Sequence, residues 1–172
     1  MKIFYHVSTE YEKNIEVFVP GLDFSKAKGE NTEIPRVCVS EDIMGCIKAT
    51  PMSGYFTGEI LDFDFICPYS YMEMMHHIPR LKTEGFLAKV YVFNVDDSVK
   101  IMSNEDIIKN KYVPDALNTG ECWIMEPIKP SDYFYILCSE KSFLNNTYYD
   151  LGKNYDDAIP AIDIFMKERE SV

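Results

Sequence analysis

Four polar side chains in this sequence are of the types that hold a ribose and an anionic phosphate: His6, Ser8, Arg36 and Glu121. An imidazole can hydrogen-bond a sugar hydroxyl, a serine hydroxyl is a small donor, and an arginine is a permanent cation with a fixed fork of N–H groups. A carboxylate stabilises the positive charge that develops on a sugar carbon when a glycosidic bond breaks. These residue types predict a site that binds a nucleotide and breaks a glycosidic bond.

Three short strands, distant in sequence, are expected to position these side chains. Residues 2–8 alternate between two sets of side chains, which is the period of a β-strand, so the histidine and serine near its end share a face. Residues 36–40 and 121–126 form the second and third strands. Glu121 opens the third strand, where its side chain can face a cleft.

Each of these residues also has an ordinary structural interpretation. A histidine such as His6 is more often a satisfied structural residue than a ligand. Glu121 is equally acceptable as a solvated residue at the start of a strand, and Arg36 can pair with a surface acid, an arrangement that stabilises a protein little. The functional hypothesis therefore rests on the conjunction of these residues.

The rest of the chain predicts an α+β fold in a single domain spanning residues 1–172. Strands and short helices are interspersed without the regular alternation of doubly wound proteins. Residues 86–95, rich in β-branched and aromatic side chains, are expected to form a central strand. The other predicted elements are a strand at 132–138, a helix after residue 40 with Ser40 at its N-cap, a short helix capped by Ser103 or Asn104, and a C-terminal helix within 155–170.

Composition excludes several classes of function. The formal net charge of −11 opposes the wrapping of DNA or RNA, because binding of these polyanions depends on Lys and Arg displacing counterions. Five scattered cysteines without a CxxC pair indicate reduced thiols, and they predict no metal site. The N-terminus has no apolar signal-peptide segment, and no run approaches the roughly 20 apolar residues of a membrane span. We expect a soluble cytoplasmic protein without membrane contact.

Three motifs resemble those of the ADP-ribosyltransferase-like fold family. The first is His6-Val7-Ser8, which matches a His followed two positions later by Ser or Thr. The second is Val37-Cys38-Val39-Ser40, a strand that leads into a helix. The third is a Glu that opens a late strand, within Glu121-Cys122-Trp123-Ile124-Met125-Glu126-Pro127-Ile128. The resemblance implies a split β-sheet around an NAD cleft, with short flanking helices.

The resemblance also implies roles for individual residues. His6 would bond the adenosine ribose, while Ser8 and Arg36 would lie near the diphosphate or the nicotinamide amide. Ser40, at the end of the second motif, would also contact the nucleotide. Glu121 would be the catalytic carboxylate that orients the 2′-hydroxyl of the nicotinamide ribose. NAD would be the substrate, with ADP-ribose transferred to a protein target or to water.

One departure from the family pattern leaves a second function open. Active members often place a Tyr in the second strand to stack on nicotinamide, whereas this chain has Val37 and Val39 there. Either an aromatic residue from elsewhere, such as Tyr55 or Tyr71, supplies the stacking face, or nicotinamide is not what binds. The alternative is a non-catalytic acidic binding protein on the same scaffold, such as an inhibitor or an accessory factor of a phage or mobile element.

Overall fold

The computed structural model describes most of the predicted strands and the three motifs. The described residues are 1–10, 13–22, 25–27, 29–50, 63–65 and 86–153. The predicted C-terminal helix within 155–170, and the alternative stacking residues Tyr55 and Tyr71, lie outside them.

In the described part of the chain, seven strands form one antiparallel sheet in the order β6-β7-β3-β1-β5-β8-β9. Their bounds are β1 Lys2–Ser8, β3 Val37–Ser40, β5 Phe86–Val95, β6 Ile101–Met102, β7 Glu121–Ile124, β8 Asp132–Cys138 and β9 Tyr149–Gly152. A separate pair consists of β2 Ser25–Ala27 and β4 Phe63–Phe65. Among the described residues, four short helices accompany the strands: α1 Ile43–Ala49, α2 Asn104–Asn110, α3 Ala116–Thr119 and α4 Glu140–Leu144. The α+β class is confirmed.

The central strand is β5, as its composition predicts. It pairs with β1 from Lys2↔Val95 to Ser8↔Lys89, and with β8 from Phe86↔Cys138 to Val92↔Asp132. Alternate residues of β5 enter two different apolar clusters, with Val90 beside α1 and Phe93 beside Phe18. Because alternate side chains of a strand face opposite sides, the sheet is covered by apolar side chains on both faces.

The sheet is weakly joined between β1 and β3. Only one Cα pair is in register there, Tyr5↔Ser40, whereas β3 and β7 are paired along four residues. The sheet therefore consists of two halves, β6-β7-β3 and β1-β5-β8-β9, that diverge beyond this pair. Such a divergence leaves room for side chains between the two strands.

Helix α1 begins with a different cap from the one predicted. The carboxylate of Asp42 accepts hydrogen bonds from the backbone N–H groups of Met44 at 3.3 Å and Gly45 at 2.9 Å, so Asp42 is the N-cap. The Ser40 hydroxyl instead donates to the carbonyl of Thr119 at 3.1 Å. The apolar residues Ile43, Met44 and Ile47 of this helix are buried.

Gly45 lets α1 approach the turn before β7 closely. A Cβ at this position would lie 2.1 Å from the carbonyl oxygen of Thr119, which is backbone and cannot move aside freely. We expect Gly45→Ala to lower the free energy of unfolding by about 1–3 kcal/mol, the usual cost of overpacking, measured by urea denaturation. This loss outweighs the helix propensity that alanine gains over glycine.

Gly21→Ala is the matched control for this substitution. The nearest atom to a Cβ at Gly21 is 3.9 Å away, so the variant should change stability by less than about 0.5 kcal/mol. Equal stability of both variants and the parent protein would contradict the close packing of α1.

Candidate functional site

A cavity of about 130 Å³ lies where β1 and β3 diverge. Its walls come from β1, β3, α1, the end of α3 and the start of β7. The lining residues are His6, Val7, Cys38, Val39, Ser40, Gly45, Cys46, Ala49, Thr50, Thr119 and Glu121. The structure therefore brings together three of the residues singled out from the sequence: His6, Ser40 and Glu121.

His6 reaches the cavity from β1 and connects the two halves of the sheet. Its Nδ1 lies 2.9 Å from the carbonyl oxygen of Cys38. Because a carbonyl only accepts, Nδ1 carries a proton in this contact. The imidazole also packs edge-on against Phe18, with 5.0 Å between ring centroids. The same side chain thus stabilises the divergence of the strands and lines the cavity.

Glu121 is a buried carboxylate at the first position of β7, 7% exposed. Gly120 before it has a φ of +63°, a left-handed conformation that glycine adopts without steric cost. The Oε1 of Glu121 accepts a hydrogen bond from the indole Nε1 of Trp123 at 2.6 Å. Residues two apart on a strand share a face, so this partner follows from the strand geometry.

Burial raises the pKa of the Glu121 carboxyl group. Hydrogen bonds from Trp123 and from the thiol of Cys38 act in the opposite direction and favour the ionised form, but they do not cancel the effect of burial. Ionised Glu121 is therefore a charge kept out of water and stabilised by two donors. A charge in such a place acts strongly on its neighbours because little solvent screens it.

The indole that orients Glu121 is itself fixed by two ring contacts. Trp123 is fully buried; the ring of Tyr112 stacks on it at 5.5 Å between centroids and 11° between planes. The guanidinium of Arg36 lies 4.2 Å from the centroid of the indole. Flat stacking and a cation over the ring are both favourable contacts for tryptophan. Trp123 is the main site residue that sequence analysis missed.

Arg36 does not line the cavity. It is 4% exposed, and its guanidinium forms an ion pair with Glu30 and donates to the carbonyls of Asn31 at 3.0 Å and Ile34 at 3.1 Å. The guanidinium thus makes its ion pair and these hydrogen bonds within its own chain. Arg36 packs on Trp123, and its predicted contact with a diphosphate stays a prediction.

The two predicted serines are placed differently. Ser8 lies outside the cavity lining and accepts a hydrogen bond from the backbone N–H of Glu10 at 3.3 Å. Ser40 lines the cavity, but its proton is donated to Thr119 and its oxygen accepts from the N–H of Asp42 at 3.2 Å. Ser40 therefore links β3 to α1 and α3. Toward the cavity, its hydroxyl oxygen can only accept a hydrogen bond.

Two of the five cysteines, Cys38 and Cys46, also line the cavity. Burial raises the pKa of Cys38 well above its usual value, and the neighbouring carboxylate of Glu121 raises it further. Burial raises the pKa of Cys46 to about 12, and its thiol donates to the carbonyl of Tyr5 at 3.1 Å. Both sulfurs stay protonated at neutral pH, so neither is an activated nucleophile.

The size of the cavity limits what it can hold. A cavity of about 150 Å³ takes up benzene, whereas sites for drug-sized ligands measure about 300–1,000 Å³. The space lined by the described residues thus fits one six-membered ring and not a complete dinucleotide. It offers that ring a carboxylate, an imidazole and apolar walls.

Comparison of the chain with protein-family models, curated proteins and solved structures returned no match. Across residues 1–153, outside the gaps, no group of three His, Cys, Asp or Glu side chains is placed to hold a metal ion. None of the described helices has the length and apolar character that crossing a bilayer requires.

Trp123→Phe tests how Glu121 is held. The variant keeps an aromatic ring but removes the N–H that favours the ionised carboxyl, so the pKa of Glu121 should rise further. A carboxyl whose folded pKa exceeds its unfolded value of 4.5 contributes most to stability below that value, and the contribution is lost as the pH rises through the folded pKa. We therefore expect Trp123→Phe to lose about 1.5–3 kcal/mol of stability at neutral pH and less below pH 4.5.

Urea denaturation across this pH range, with NMR titration of the Glu121 carboxyl, provides the measurement. Tyr112→Phe is the control, because it retains the stacked ring and leaves the indole N–H in place. A loss of stability in Trp123→Phe that is the same at acid and neutral pH would show that the indole N–H does not stabilise the carboxylate.

Proposed function

We propose that this chain binds NAD or a related ADP-ribose compound and breaks the bond between nicotinamide and ribose, transferring ADP-ribose to a target or to water. The observation that carries the proposal is the convergence of His6 and Glu121 on one cavity. These two residues open the first and last motifs of the resemblance to ADP-ribosyltransferases. The divergence of β1 and β3 also supports it, since that family has a split sheet.

The cavity size supports nicotinamide as the group that enters. Its volume of about 130 Å³ suits a single aromatic ring. With the ring inside, the attached ribose lies at the cavity entrance, and the diphosphate and adenosine lie outside the described cavity. Glu121 then faces the ribose, where it accepts a hydrogen bond from the 2′-hydroxyl.

The reaction follows from the charge on Glu121. The carbon–nitrogen bond between C1′ of the ribose and nicotinamide breaks, and its electron pair leaves with the ring nitrogen, which becomes neutral. Positive charge develops on the ribose, and the buried carboxylate stabilises it. An acceptor oxygen, nitrogen or sulfur then attacks C1′ and loses its proton to the solvent.

The structure supports fewer contacts to the nucleotide than the resemblance implies. His6, Ser40 and Glu121 line the cavity, whereas Arg36 and Ser8 make contacts within their own chain. In the proposal Arg36 is therefore a positioning residue that acts through Trp123. Ser8 has no role in binding.

A non-catalytic binding protein on the same scaffold is the second candidate. Val37 and Val39, at the positions where active relatives often have Tyr, are buried in the core cluster that contains Phe4 and Phe93. Strand β3 therefore presents no aromatic ring to the cavity. This observation favours a protein that retains the cavity without turning NAD over.

Release of nicotinamide tests the proposal without knowledge of the acceptor. The protein is incubated with NAD labelled in the nicotinamide ring, with and without cell extract as a source of acceptors, and free nicotinamide is measured. We expect Glu121→Gln to reduce the rate about 10²–10³-fold, the usual effect of removing one stabilising group from a transition state. The rate should also fall on acidification at a pH above 4.5, because burial raises the pKa of Glu121.

Glu33→Gln is the matched control, since Glu33 is exposed and lies outside the cavity lining. It should leave the rate unchanged. Saturable binding of NAD in calorimetry without nicotinamide release would support the non-catalytic candidate. Absence of both binding and release, or an unchanged rate in Glu121→Gln, would contradict the proposed reaction.

A further inference from the structure

A second and larger depression lies at the ends of the strands where β1 begins and β5 ends. Its volume is about 710 Å³, within the range of about 300–1,000 Å³ for ligand sites. We name it the acidic groove. It is lined by Lys2, Phe4, Ser40, Glu41, Asp42, Val95, Asp96, Asp97, Val99, Ile101, Ser103, Asn104, Glu105, Gly120 and Cys122.

The floor of the acidic groove is apolar. Phe4, Val95 and Cys122 belong to the core cluster on one face of the sheet, and Val99 and Ile101 pack against that cluster while they remain partly exposed. Val99 and Ile101 supply the apolar surface that a partner on this floor removes from water, which is favourable at roughly 25 cal/mol per Å². The floor thus favours a ligand with apolar groups.

The rim of the groove carries five carboxylates and one ammonium group. Glu41 pairs with Lys2 at 3.3 Å, Asp42 caps α1, and Asp96 accepts from Ser98 at 2.8 Å. Asp97 and Glu105 are exposed and have no hydrogen-bond or ion-pair partner among the residues that the structure describes. Two rim carboxylates are therefore available to cations from outside the chain.

The arrangement of these charges discriminates between occupants. The described carboxylates do not converge as a metal-ligand set, which argues against a single bound metal ion. A second copy of this chain also carries a net charge of −11, and nucleic acid is a polyanion, so both are repelled. A polypeptide with separate cationic side chains matches carboxylates that are spread along a rim.

We infer that the acidic groove binds a segment of a partner protein that combines Lys or Arg with apolar side chains. The cations of this segment contact Asp97 and Glu105, and its apolar side chains cover the floor. The groove shares only Ser40 with the cavity at Glu121, so this interaction does not depend on NAD binding.

The test uses a short fluorescein-labelled peptide in which Lys and Leu alternate, and fluorescence anisotropy measures its binding to the full chain. The double variant Asp97→Asn, Glu105→Gln should bind the peptide about tenfold more weakly than the parent chain. Neither side chain has a partner within the described residues, so this variant should fold normally. The control is Glu16→Gln, Glu33→Gln, which removes the same charge at exposed positions outside the groove and should bind like the parent chain.

Two further peptides separate the contributions of charge and apolar surface. A peptide with Ser in place of Leu should bind more weakly than the original, and one with Glu in place of Lys should not bind. The inference is overturned if the two double variants weaken binding equally, since only general attraction to an acidic protein would then operate. It is also overturned if the Ser peptide binds as well as the Leu peptide, or if the Lys and Leu peptide does not bind.

Discussion

The burial of one carboxylate constrains the architecture of this protein more than any other single feature. Removing an ionised group from water is costly unless hydrogen bonds replace the lost hydration. Glu121 meets this requirement through the indole N–H of Trp123 and the thiol of Cys38. Trp123 is held in turn by the ring of Tyr112 and the guanidinium of Arg36, so residues remote from the cavity determine where the carboxylate points.

The cavity depends on how the sheet is joined. A fully paired β1 and β3 would fill the space between them with backbone hydrogen bonds, whereas the single pair Tyr5↔Ser40 lets them diverge. The ring of His6 lies between the diverging strands and donates a hydrogen bond to the carbonyl of Cys38. Gly45 and Thr119 approach each other closely, and both line the cavity. The proposed binding and the stability of the fold thus use the same residues, which is why each substitution needs a matched control.

Local patterns in the sequence predicted the strands well and the long-range contacts poorly. The alternation of residues 2–8, the aromatic and β-branched run 86–95 and the strand at 132–138 all match the structure, because strand period and propensity are local properties. Short elements such as β9 and α3 were missed, since they are too brief to show a period. The hydroxyl of Ser40 predicts an N-cap, but in the folded chain this hydroxyl donates its proton to the carbonyl of Thr119.

The motifs predict that His6 and Glu121 converge on one site. They do not predict the ion pair between Arg36 and Glu30, because that contact depends on how the intervening chain folds.

The most direct measurement of the central claim is a crystal structure of the protein grown with NAD. The account predicts a nicotinamide ring in the cavity between β1 and β3, with the ribose 2′-hydroxyl within hydrogen-bond distance of Glu121. A cavity that holds only water, with NAD absent or bound on another surface, would contradict it.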